Sequence, residues 1–131
     1  MVRRRWRTEE GQAALELALV IPLLLLLLFA VTEMGRVGYA YITVNNAARA
    51  GARVASVGGN DQDILTTIQN SASFLNPTSL MVQISPGESV RQSGEDVTIE
   101  VEYPVQLIIP VIQGVIPNPV VVSSRLSMRL E

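Results

Sequence analysis

Cysteine, histidine and lysine are all absent from this 131-residue chain. Without cysteine there is no disulfide, no thiolate metal ligand and no thiol nucleophile. Without histidine the commonest general base and the commonest metal ligand are missing as well. Only scattered Ser, Asp and Glu remain for chemistry, and no metal-ligand cluster or phosphate-binding loop accompanies them. The expectation is therefore a protein that is not an enzyme, with no cofactor, no metal and no small-molecule substrate. The positive charge is carried by arginine alone, ten residues against twelve acidic ones. They form no dense basic stripe, so nucleic acid is not an expected partner. Exclusive use of arginine reads as a GC-rich bacterial coding bias. Aromatic residues make up 5% of the chain.

What the chain has in quantity is apolar sequence, 48% of its residues, and the excess sits in two places. The first is near the N-terminus. No charge occurs from Leu17 to Thr32, and Ala13, Ala14 and Leu15 extend the run backward. Gln12 to Thr32 spans about 21 residues, matching the ~20 that a helix needs to cross the hydrocarbon core. Arg3, Arg4, Arg5 and Arg7 precede it. Basic residues stay on the cytoplasmic side, which puts the C-terminal bulk outside. A secretory signal removed as a whole would have a shorter apolar region, ~7–15 residues, and a small-x-small site at its end. Neither is present. Glu16 lies just inside the run, where a carboxylate is expensive, although its side chain can still reach the interface. Pro22 interrupts the span and removes one helical hydrogen bond.

The stretch GQAALELALVIPLLLLLLFAVTEMGR, followed by NNAARAGAR, carries a recognisable combination: Gly11, an acid five residues on at Glu16, V-I-P within the run, E-x-G-R at its exit and A-A-R-x-G-A-R beyond. In these residues the chain resembles the TadE-like pseudopilins of tight-adherence (Flp-type) pilus systems. The resemblance covers Gly11–Arg53. It implies cleavage between Gly11 and Gln12 by a membrane prepilin peptidase, and a minor structural role as a pilin-like subunit or assembly factor beside other pilin-like subunits and an assembly platform. It places the chain in a bacterial cytoplasmic membrane as a single-pass, pilus-associated protein. Removal of the leader, four Arg against two Glu, would take the net charge from −2 to −4. It would also free the α-amine of Gln12 one helical turn from Glu16. Glu16 of one subunit is then expected to neutralise the Gln12 amine of a neighbour, favouring staggered assembly. The alternative is a single-pass anchored protein whose outer domain binds a partner and never enters a filament.

Past the span, helix is expected to continue until Gly58-Gly59-Asn60 stops it. Glu33 and Arg36 are spaced to pair at the outer interface, and Tyr39 and Tyr41 suit the headgroup level. Small residues recur every fourth position, Ala47, Gly51 and Ala55 on one row and Ala48, Ala52 and Ser56 on the next. These rows allow close helix packing, against this chain's own domain or against neighbouring subunits. Asp61 is expected to cap a second helix running from Gln62 to about Leu75. Three alternating strand patterns follow, centred on Leu80–Ile84, Val97–Tyr103 and Val122–Leu130, with Pro86–Glu95 as a hairpin connection. Glu100 and Glu102 are expected to face Arg125 and Arg129 across neighbouring strands. The second apolar stretch, 104–122, contains four prolines. It is expected to form an uncharged connection between strands, not a second span, and to be covered by the sheet, the outer bilayer surface or another subunit. The fold class is thus α+β, with a long N-terminal transmembrane helix, a second short helix and a small antiparallel sheet of about three strands. Leader 1–11, helix 12–57 and an extracytoplasmic domain 58–131 form the expected division.

Overall fold

Helix α1, Arg3–Ser56, runs for 54 residues without interruption, about 80 Å at the rise of an α-helix. The computed structural model describes residues 3–131. Met1 and Val2 lie outside the described residues, as do the side chains of residues 3–8, so the charge reading of the leader arginines falls there. Ala, Leu and Arg, all good helix formers, dominate α1. The helix continues through Pro22, whose missing N–H leaves the Ala18 carbonyl without its usual partner. Thr32 and Thr43 turn their hydroxyls back onto the Leu28 and Tyr39 carbonyls, at 2.9 and 2.8 Å, and so spare themselves a separate partner.

Burial divides α1 in two. Every residue from Glu9 to Phe29 is exposed, whereas Glu33, Ala40, Val44, Ala47, Ala48, Gly51, Ala52 and Ala55 are buried. The buried positions recur at three- and four-residue intervals, which defines one face of the upper helix. At the top, Gly58 adopts φ +83°, and the N–H groups of Gly58 and Gly59 bond the carbonyls of Ala55 and Val54. Only glycine takes that left-handed conformation without strain, so the stop expected from Gly58-Gly59-Asn60 is the one observed.

Helix α2, Asp61–Ser71, starts one residue earlier than expected and ends sooner. Its cap is Asn60, whose side chain accepts the Asp63 N–H at 2.7 Å, and not Asp61. The Asp61 carboxylate is instead engaged by Arg91 and by the Glu88 N–H. Ile64 and Ile68 of α2 are fully buried. The chain then builds a three-stranded antiparallel sheet in the order β1 (Met81–Ser85), β2 (Asp96–Val105), β3 (Val120–Arg129). Its inner face, Val97, Ile99, Val101 and Val122 among others, joins α1 and α2 in one core. This is the expected α+β arrangement.

The register corrects one of the expected charge pairs. Glu100 does face Arg125, with a 2.6 Å contact, and this bond raises the Arg125 pKa further above its ordinary value. Glu102 faces Ser123, however, and Arg129 faces Asp96. The offset follows from antiparallel pairing, in which partner numbers run in opposite directions and fix every later pair once one is set. Pro104 lies within β2, opposite Val121, and not in the connection. It is tolerated because β1 pairs only Thr98–Glu102, which leaves the other edge of β2 free at that point.

Gly51 is where α1 and α2 come closest. A Cβ there would lie 2.6 Å from two side-chain carbons of the fully buried Ile68. Gly51→Ala is expected to destabilise the domain by about 1–3 kcal/mol through overpacking. Gly35→Ala, where a Cβ meets nothing within 4 Å, is expected to be neutral or slightly stabilising, as for any glycine replaced mid-helix. Thermal unfolding of the two full-length variants in detergent measures the difference.

Candidate functional site

Two places on α1 stand out, one at each end of the apolar run. The lower one contains Gly11, Gln12 and Glu16. All three are exposed on an unbroken stretch of helix. The Gln12 side-chain amide donates to a Glu16 carboxylate oxygen at 3.4 Å, so residues four apart share a face. The peptide bond between Gly11 and Gln12 lies inside the helix. Nothing from the outer domain packs near it, as the exposure of Glu9–Phe29 shows.

Ala47, Gly51 and Ala55 are buried in this chain's own core, together with Ile64 and Ile68 of α2. Of the second row, Ala48 and Ala52 are buried as well and Ser56 is half-buried. Tyr39 and Tyr41 are about half exposed.

The upper place centres on Glu33, the first charged residue after the run. Its side chain is only 4% exposed. One carboxylate oxygen accepts the Arg36 guanidinium at 2.7 Å. The other accepts two backbone N–H groups, those of Ile108 at 2.6 Å and Ile109 at 3.1 Å. Arg36 also reaches the Gln106 carbonyl at 3.3 Å. The Glu33–Arg36 pair follows from helical spacing. The two N–H groups come from the connection between β2 and β3, some 75 positions away in sequence, and no local pattern announces them.

That connection, residues 106–119, includes the single turn α3, Pro110–Gln113, which the four prolines had not suggested. Pro110 starts the turn, a position where its missing N–H is no loss. The Gln113 side chain folds back on the Leu107 carbonyl at 2.7 Å, and the Asn118 side chain accepts the Leu107 N–H at 3.0 Å. Leu107 is buried, whereas Ile108, Val111 and Val115 are largely exposed. Between the turn and α1 lies an apolar groove of about 750 Å³, walled by Leu26, Ala30 and Val37 on one side and by Val111, Ile112 and Val115 on the other.

A third cluster, unforeseen from the sequence, closes the distal end. The Arg91 side chain is 5% exposed and binds the Asp61 carboxylate and the Gly59 carbonyl, the latter at 3.1 Å. It ties the exit of α1 to the β1–β2 connection. A lone arginine in a polar, glycine-containing linker carries no local signal of such burial.

Comparison with known proteins bears on the lower site and the run above it. The family model described as TadE-like protein matches residues 11–53, the same stretch in which the sequence resembles that family. The match begins at Gly11 and ends within the buried part of α1, so it covers about a third of the chain. It points to a structural, pilin-like protein associated with a Tad pilus. The long helix near the N-terminus is apolar enough to cross a membrane. Neither a curated protein nor a solved structure matches the chain.

Burial by itself would raise the pKa of Glu33, but the Ile108 and Ile109 N–H groups and Arg36 outweigh it and hold the carboxyl below its ordinary value of 4.5. A depressed carboxylate stabilises the folded state fully above the unfolded pKa. That contribution fades as pH falls through the lower, folded value. Docking of residues 106–119 is therefore expected to be constant from neutral pH down to about pH 4.5 and to weaken below it. Amide exchange at Ile108 and Ile109 reads this directly. Glu33→Gln is expected to speed it on the order of tenfold at neutral pH, where the wild-type carboxylate is ionised.

Proposed function

We propose that this chain is a minor, pilin-like subunit or assembly factor of a tight-adherence pilus, inserted with its N-terminus in the cytoplasm and cut between Gly11 and Gln12 by a prepilin peptidase. The observation that carries the proposal is the coincidence of three features on one helix. The family match starts at Gly11, Glu16 lies one turn beyond Gln12 on the same face, and the helix from Glu9 to Leu25 is exposed and lines no groove with the outer domain. A helix exposed all round has its whole circumference available for lipid and then for neighbouring helices.

Cleavage requires the helix to open locally around the scissile bond. Glycine suits that step, because it weakens helix by about 1 kcal/mol relative to alanine. After the cut, the new α-amine of Gln12 and the Glu16 carboxylate are opposite charges at the edge of a hydrocarbon layer. An unpaired carboxylate costs about 2.5–3.5 kcal/mol at the bilayer centre on insertion scales, and less at the depth of Glu16, near the edge. A staggered neighbour that brings its Gln12 amine to Glu16 offsets this smaller penalty, and a neighbour in a different register does not.

The test is the intact mass and N-terminal sequence of the protein from its native membrane, compared with Gly11→Leu and with a strain lacking the peptidase. The expected result is a mature chain starting at Gln12, absent in both controls. An uncut chain in the wild type would instead identify a plain membrane-anchored domain. Glu16→Gln is expected to be cut normally yet to be depleted from the sheared pilus fraction, as quantified by immunoblotting.

A further inference from the structure

We propose that the β2–β3 connection, residues 106–119, is a second membrane-contacting element: an apolar foot that dips into the outer leaflet beside α1, held at that depth by Glu33. The proposal rests on the reading of α1 as a membrane span and adds to it a contact made by the outer domain.

Depth is the first argument. The turn does not stop at Glu33, where the apolar run ends. It descends alongside the helix, so that Val111, Ile112 and Val115 face Leu26 and Ala30 across the groove. Leu26 lies seven residues before Glu33, about 10 Å down the helix axis. Any membrane that covers Leu26 must therefore meet the turn at the same level. Elements that lie in an interface bury their apolar face by a similar ~5–10 Å.

Composition is the second argument. No charged residue occurs from Tyr103 to Ser124. Ile108 is 67% exposed and Val115 85% exposed, which is costly in water and favourable in hydrocarbon. Arg36 donates to the Gln106 carbonyl, at the start of the connection and before the turn in sequence.

The third argument comes from the backbone. Unpaired backbone polar groups are expensive in lipid, and several of those in this segment have partners within the protein. Ile108 and Ile109 donate to Glu33, and Leu107 donates to Asn118. The N–H groups of Ile112, Gln113, Val115 and Ile116 find carbonyls within the turn. Pro110, Pro117 and Pro119 have no N–H to satisfy. The prolines that rule out a spanning helix thus suit a segment that enters lipid only partway.

Geometry also selects lipid over a protein partner. A helix lodged in the groove would cover its walls but leave Ile108, which lies outside the groove, exposed. A fluid leaflet covers both sides of the turn at once.

The natural absence of cysteine makes the test direct, since one introduced cysteine is the only one. Full-length Val115→Cys, Leu24→Cys and Ser93→Cys are each labelled with an environment-sensitive fluorophore and reconstituted into phosphatidylcholine vesicles. Quenching by nitroxide-bearing lipid is compared with quenching by aqueous iodide. Leu24 reports on the span and Ser93 on the distal β1–β2 connection. The expected result is that lipid nitroxide quenches the emission at Val115 as well as at Leu24, and leaves Ser93 unchanged. Quenching at Val115 by iodide alone, with Leu24 still lipid-quenched, overturns the proposal and leaves the span reading intact. Val115 shielded from both quenchers overturns it in favour of a protein covering the turn. Loss of lipid quenching at Leu24 removes the span reading and the foot with it.

Discussion

The carboxylate of Glu33 occupies the point where a helix made for hydrocarbon passes into a helix made for a protein core, and both halves are organised by how it is held. A charge taken out of water is tolerated only when it is paired and hydrogen-bonded. Here the partners are Arg36, one turn up the same helix, and two N–H groups from the far end of the sheet. The same bonds that make the charge tolerable fix the β2–β3 connection against α1. The groove and the exposed turn both lie beside the point that this side chain fixes. An apolar residue at position 33 would leave the two N–H groups without acceptors.

Above that point the helix face is built from small side chains, and this lets one helix serve two packing surfaces. Alanine and glycine at positions 47, 48, 51, 52 and 55 leave room for α2 on one flank and for the sheet on the other. Below it, leucine and valine are exposed, with Leu26 walling the groove. Composition changes along a continuous helix, and the change is from a surface that suits solvent of low polarity to one that suits close neighbours. At the far end Arg91 does what Glu33 does at the end of the apolar run, joining the helix exit to a strand connection through a buried charge.

Much of this architecture is visible in the order of residues, and what is visible has a common cause. The end of α1 at Gly58, the three strands and the Glu33–Arg36 pair all rest on interactions within a few positions, where periodicity and turn chemistry act. The cap at Asn60 was missed by one residue because Asn and Asp are nearly equal as caps. What decided between them was Arg91, thirty positions away, which claims the Asp61 side chain. The Glu102–Arg129 pair failed for a related reason, since register depends on how two distant strands meet and not on the sequence of either one. Neither the grip of Glu33 on Ile108 and Ile109 nor the turn at Pro110–Gln113 has any local signature. The sequence showed that residues 104–122 needed cover, but not that they would be brought back to the helix they left.

The continuity of α1 has a mechanical consequence. The helix that carries the apolar run is the same helix that forms the centre of the folded domain, without a break between them. A pull on the domain along the helix axis is transmitted to the span as displacement, not dissipated in a linker. Sliding the helix out of the domain would shear its packing against the sheet along its whole upper length at once, the loading direction in which many weak contacts resist together. The molecule is therefore built as a rod with a fixed head, and a force on the domain acts directly on the apolar end of the helix.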